Sequence, residues 1–288
     1  MTTTPLRIHV GHSPDPDDAF MFYGIAQGAV DTAGFEIVQV LADIETLNRR
    51  AMSGELEVSA VSIHAYAHLA DRYALMPCGA SMGDGYGPCV VANRPLATRE
   101  LKDKRIAVPG TLTSAYLALR INLGGEFEYQ VVPFDQILDV VRRGEVDAGL
   151  IIHEGQLTYA DEGFHLVVDL GVWWAEITKG LPLPLGANVV RKDLGQETMA
   201  CLTRILRDSI EYGLDHRSEA LDYAMQWGRG LDRERADRFV GMYVNELTRD
   251  YGERGRRAIE TFLQAGSPSG LVPGSFDVQF VDAQFGAP

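Results

Sequence analysis

His153 ends the apolar run of GLIIHEGQLTY (Gly149–Tyr159), where an imidazole could be a packed core residue, a metal ligand or a catalytic base. The stretch HSPDPDD sets Ser13 beside three carboxylates, Asp15, Asp17 and Asp18. Clustered aspartates can hold a hard cation. The rest of an EF-hand pattern is missing, however, and Asp-Pro-Asp-Asp also suits a turn that enters a helix. Two junctions carry hydroxyls: Thr113 and Ser114 in GTLTSAY, and Ser62 in AVSIHAYA. A helix N-terminus offers unpaired N–H groups and a partial positive charge, so both junctions suit a carboxylate or another anionic oxygen. Plain capping suits them as well.

Other chemistries find little support. GxxxxGK[ST], HExxH, GxSxG and paired CxxC motifs are absent. Gly83, Gly85 and Gly87 lack the strand–GxGxxG–helix setting of a dinucleotide site and read as a flexible loop. His64 and His68 stand four apart on an expected helix, a spacing that can bind zinc, but no third ligand stands nearby. Cys78, Cys89 and Cys201 are too few and too scattered for a disulfide framework. The chain has 26 Lys and Arg against 40 Asp and Glu, a formal charge of −14, which repels phosphate backbones and anionic lipid. Nucleic acid and membrane surfaces are therefore not expected partners. The N-terminus lacks a basic segment followed by an apolar one, and no stretch approaches the roughly 20 apolar residues of a spanning helix. A cytoplasmic protein is expected, its oligomeric state unspecified.

The elements that must position these residues alternate strand, loop and helix. Leu6–His12 reads as a strand running into Ser-Pro-Asp-Pro, followed by a helix from Asp17 or Asp18 to Gly28. Strands at Phe35–Leu41 and VSAVS flank a helix at IETLNRRAMSG, and another helix is expected at IHAYAHLADRY. The rhythm restarts with strands at Arg105–Gly110, EYQVVPF, Ala148–Glu154 and His165–Gly171, with helices at TLTSAYLALRINLG and ILDVVRRGEV. From about residue 197 to Ala265 the chain is helical, and its tail is irregular. Gly87–Leu96 and Leu181–Leu194, extended and punctuated by Pro and Gly, read as crossings between two halves. The pattern predicts an α/β protein with a largely parallel sheet in each half. Residues 1–92 plus 189–288 form a large domain and 93–188 a small one, with a small-molecule cleft between them.

Read together, SPDPDDAFMFYGIAQG, ADIETLNRRAMSGELEVSAVSIHAYA, GLIIHEGQLTY and LPLPLGANVVRKDL resemble the 1,4-dihydroxy-6-naphthoate synthases of the futalosine route to menaquinone. The resemblance extends to about residue 265 and is most specific at IIHE and LPLPLGA. It implies a two-lobed type II periplasmic-binding-protein-like fold with two crossing strands. It also implies a carbon–carbon lyase that converts cyclic dehypoxanthinyl futalosine, a carboxylate, to 1,4-dihydroxy-6-naphthoate without metal or organic cofactor. On the family pattern His153 is the proton acceptor. Thr113, Ser114, Ala60, Val61 and Ser62 contact substrate, with Asn48 and Ser13 as further cleft candidates. Where some members read SPCPND, this chain places Asp15 and Asp17, adding negative charge beside a cleft expected to hold a carboxylate. Two relatives of the fold mark the alternatives: the chorismate dehydratase of the same pathway, and a solute-binding protein that performs no chemistry.

Overall fold

The computed structural model describes residues 5–228 and 231–282. Eleven strands among them are β1 (Arg7–His12), β2 (Glu36–Leu41), β3 (Val58–Ser62), β4 (Tyr73–Leu75), β5 (Ser81–Gly83), β6 (Cys89–Ala92), β7 (Ile106–Val108), β8 (Tyr129–Val131), β9 (Ala148–Ile151), β10 (His165–Asp169) and β11 (Leu183–Arg191). They form two sheets. One runs β2-β1-β3-β11-β4, with β5 also on β11; the other runs β10-β6-β9-β7-β8. Strands β1, β2 and β3 pair in parallel, as do β7, β8 and β9, because helical crossovers connect them. The strands on which the chain changes sheet, β6 and β11, instead pair antiparallel with β9 and β3.

Sheet membership changes between Gly83 and Cys89, and again between Asp169 and Leu183. Cys89–Ala92 thus lies in the second sheet, and residues 183–188 begin a strand of the first. Both stretches read from sequence as crossings hold ladder strands, which is why they showed no helical period.

The helix Gln196–Asp215 buries Met199, Leu202, Ile205, Leu206 and Ile210 against Phe20, Met21 and Phe22 and against Ile8 and Val10 of β1. That apolar stripe, spaced near three and four residues, is what holds the loop after β1 in place. The helix Ser114–Leu123 is buried along most of its length and packs against β11 and the helix Gly252–Gly266. The two hydroxyl junctions therefore stand on elements fixed by core packing.

Several local expectations differ from the fold. The helix after HSPDP runs only Pro16–Met21, breaks at Phe22 and resumes at Tyr23–Ala26. The helix expected over IHAYAHLADRY ends at Tyr66, and β4 follows. Tyr73, Ala74 and Leu75 are all fully buried, and a strand covered on both faces shows no alternation to separate it from a helix. The helix Leu170–Thr178, which the sequence pattern does not signal, is capped by the Asp169 side chain at the N–H groups of Gly171 and Val172. The strand read over Ala148–Glu154 stops at Ile151. The end of the irregular tail, residues 283–288, and the first four residues of the N-terminal reading lie outside the described residues.

Candidate active site

The loop after β1, the end of β3, the start of the helix Ser114–Leu123, the segment after β9 and the middle of β11 line one cleft. Counted out to its open mouth, solvent included, it encloses about 720 Å³. Of the residues predicted from sequence, Ser13, Ala60, Val61, Ser62, Thr113, Ser114 and His153 line it. Asn48 does not.

Asn48 lies behind the wall, fully buried. Its side-chain carbonyl accepts from Ser62 N at 2.8 Å, and its amide donates to Ser62 Oγ at 3.1 Å. It sits on the helix Ile44–Ser53, which Asp43 caps by accepting from Thr46 N. The role fitted by this geometry is to fix Ser62. Asn48→Ala leaves the buried Ser62 N–H unpaired and is expected to cost about 1–2 kcal/mol of stability. It should also raise KM for the cleft ligand; thermal melting and steady-state kinetics check both. Native values in both assays would mean that the strand pairing of Ser62 holds it unaided.

The hydroxyls divide unequally. Thr113 Oγ1 donates to Gly110 O at 2.8 Å and accepts from Tyr116 N, so it is a helix cap. Ser114 Oγ donates to Leu185 O at 2.6 Å and accepts from His64 N. In this structure both hydroxyl protons go to backbone carbonyls, while both residues line the cleft. The proton of Ser62 Oγ, by contrast, has no acceptor among the described residues. The first two N–H groups of the helix, those of Ser114 and Ala115, likewise have none. One hydroxyl and a helix N-terminus, tied together through His64 N, thus make an anion-accepting end of the cleft. His64 and His68, read as a potential zinc pair, both approach Leu271 O, at 3.0 and 2.9 Å. Burial holds the His64 imidazole below its ordinary pKa, so it serves here as a neutral strut.

The other end is acidic. Asp15, Asp17 and Asp18 are each at least nine-tenths buried. Ser13 Oγ lies 2.6 Å from Asp15 Oδ2 and 2.8 Å from Asp18 Oδ2, while Ser13 N donates to Asp18 Oδ2 at 2.7 Å. One hydroxyl proton cannot serve two carboxylates, so a proton shared within the cluster completes the set. Burial raises the Asp18 carboxyl above its ordinary value, with the charge on His12 opposing. Burial raises Asp17 further, helped by the negative charges of Asp18 and Asp15, and the Ser81 hydroxyl at 3.3 Å only partly offsets this.

His153 stands in the turn beyond β9, with φ at 60°, a left-handed conformation that non-glycine residues seldom adopt. Its Nδ1 lies 3.1 Å from Asp15 Oδ2, and the edge of its ring meets Phe134 with centroids 4.5 Å apart. Its Nε2 is buried with no hydrogen-bond partner among the described residues. The site therefore presents a carboxylate–imidazole pair with the far nitrogen unspent.

The chain is 43% identical to the 1,4-dihydroxy-6-naphthoate synthase of Thermus thermophilus over 92% of its length and 96% of that protein. It is 39% identical to the one from Streptomyces coelicolor, over 92% and 95%. A menaquinone-biosynthesis family model matches residues 8–268. The chain belongs to the 1,4-dihydroxy-6-naphthoate synthase family. As a member it is an enzyme of menaquinone biosynthesis. The family's chain path is shared by a crystal structure from Archaeoglobus fulgidus, 50% identical, with TM-score 0.88 over 92% of this chain and 98% of that one. The fold is periplasmic-binding-protein-like: the alkanesulfonate-binding protein of Xanthomonas axonopodis superposes with TM-score 0.69 at 13% identity, covering 94% and 96%. No helix among the described residues is long and apolar enough to cross a membrane.

Two cleft contacts are not visible in the sequence. Asp15 reads there as turn chemistry or as negative charge beside the cleft, because its proximity to His153 arises only when the loop after β1 meets the turn after β9. Asn188, in LPLPLGAN, is 1% exposed and lines the cleft. Its amide donates to Gly79 O, leaving Oδ1 without a partner among the described residues. Only the quoted motif, with no residue-level pattern, marked that position.

Proposed function

We propose that the chain is a cytoplasmic carbon–carbon lyase that converts cyclic dehypoxanthinyl futalosine to 1,4-dihydroxy-6-naphthoate, with His153 as general base. The observation that carries this reading is the buried, unpartnered Nε2 of His153 in the same cleft as an anion-accepting helix N-terminus. Three carboxylates around Ser13 repel an anionic group, so the substrate carboxylate goes to Ser62 Oγ and the N–H groups of Ser114 and Ala115. The reacting part of the substrate then faces His153. Its neutral imidazole takes a proton from a substrate hydroxyl, and the alkoxide collapses to a carbonyl as the adjacent carbon–carbon bond breaks. The electron pair of that bond enters the new ring, which becomes aromatic. Ala60, Val61 and Ile152 supply apolar surface for the ring system. The two sheets act as the two domains expected from sequence, and their approach around the ligand excludes water.

Incubation of the protein with cyclic dehypoxanthinyl futalosine, followed by the absorbance of the naphthoate product, tests the reading. Turnover supports it. Tight binding with no product would favour a receptor of the same fold, and product from chorismate in its place would favour the dehydratase.

A further inference from the structure

We infer that Asp15 is a positioning residue for His153: its carboxylate accepts the Nδ1 proton across the cleft and leaves Nε2 as the bare nitrogen of the ring. The consequence for catalysis rests on the reading of His153 as the base; the pairing itself does not.

The turn-and-cap role that the sequence suggests for Asp15 is not what its side chain does. Asp15 precedes the helix Pro16–Met21, yet its carboxylate makes no capping hydrogen bond there. It is 2% exposed, and its Oδ2 receives the Ser13 hydroxyl at 2.6 Å and faces His153 Nδ1 at 3.1 Å. With the Ser13 hydroxyl donating to Oδ2 and the shared proton of the cluster on Asp18, whose carboxyl burial raises, Oδ2 is an acceptor toward the ring as well and Nδ1 carries the hydrogen. A neutral imidazole then has its lone pair on Nε2, the nitrogen with no partner. The opposite tautomer would set two acceptors against each other at Nδ1 and bury an unsatisfied N–H at Nε2.

The backbone supports the same assignment. A left-handed residue that is not glycine costs on the order of 1–3 kcal/mol and persists only where its surroundings over-determine it. At His153 the surroundings are Asp15, from a loop of the first sheet, and the edge contact with Phe134, from the second. The carboxylate also stands ready to stabilise the imidazolium that forms when Nε2 takes a proton.

The test is nitrogen NMR of the ligand-free protein labelled at histidine, together with kinetics of Asp15→Asn and Asp15→Glu. The wild-type His153 signals should show a protonated Nδ1 and a bare Nε2, and Asp15→Asn should lose that single tautomer. The Asn variant should lower kcat on the order of 10–100-fold, the scale on which a partner that orients a ring nitrogen acts, with KM nearly unchanged. Asp15→Glu should restore part of kcat. A wild-type Nε2–H overturns the proposal whatever the variants do, as does an Asn variant that keeps both tautomer and kcat. A His153→Ala variant with ordinary turnover would remove the base while the NMR result still decided the pair.

Discussion

Replacing His153 with alanine is expected to cut turnover by about 10²–10⁴-fold, the usual contribution of a positioned general base. Ligand binding should stay near its wild-type strength. The binding groups argued for the substrate carboxylate, Ser62 Oγ and the N–H groups of Ser114 and Ala115, make no contact with the imidazole. The fold should survive too, because His153 lies beyond the end of β9 and belongs to no ladder. Alanine inherits the backbone conformation at φ 60°, where it is strained, so His153→Asn makes a second and gentler variant. Asparagine tolerates the left-handed region and is no base at neutral pH. Loss of turnover in both variants, with binding retained by calorimetry, places the defect in the chemical step. Near-normal turnover in either sinks the assignment.

Much of the site could be read from the chain because strand ends and helix starts in α/β sheets announce themselves locally. Thr113 follows a Pro-Gly turn, Ser62 closes a short apolar strand, and both stand where expected at the cleft. What a hydroxyl does with its proton is not local. Ser114 gives its proton to Leu185, 71 residues on, and Asn48 holds Ser62 across a distance of 14. Likewise the position of His153 was legible from its motif, whereas its strained backbone and its carboxylate partner were not. Strand periodicity predicted a straight run through Glu154, but a turn intervenes, and Asp15 reaches the ring from the other sheet. The sheet membership of the two crossing stretches was hidden for a related reason. An extended Val- and Pro-rich segment looks the same whether it crosses between sheets or pairs within one, and the ladder partners of β6 and β11 come from distant segments.

Asp17→Asn is expected to stabilise the protein by an amount that grows with pH. Asp17 is 8% exposed, and burial is the main reason its carboxyl titrates well above the ordinary 3.8, with Asp18 and Asp15 adding like charge. A raised carboxyl pKa means that the native state holds its proton more tightly than the unfolded chain does. That contribution is fully present below the unfolded value and is lost as pH rises through the folded one. At neutral pH the wild type therefore bears the cost of either a buried charge or a proton taken up against solution. Asparagine bears neither, and its side-chain amide keeps a partner for Ser81 Oγ. Relief on the order of 2–4 kcal/mol at pH 7.5 is the scale set by a buried carboxylate without a cation. It should shrink toward zero near pH 4, and a raised Asp18 leaves part of the wild-type slope in place. Chemical denaturation from pH 4 to 8 measures the difference directly. A difference that is flat or falls with pH would mean that Asp17 does not bear this cost. Because the residue lines the cleft, a stabilised variant that turns over more slowly would show that the enzyme holds this carboxylate for function against its own stability.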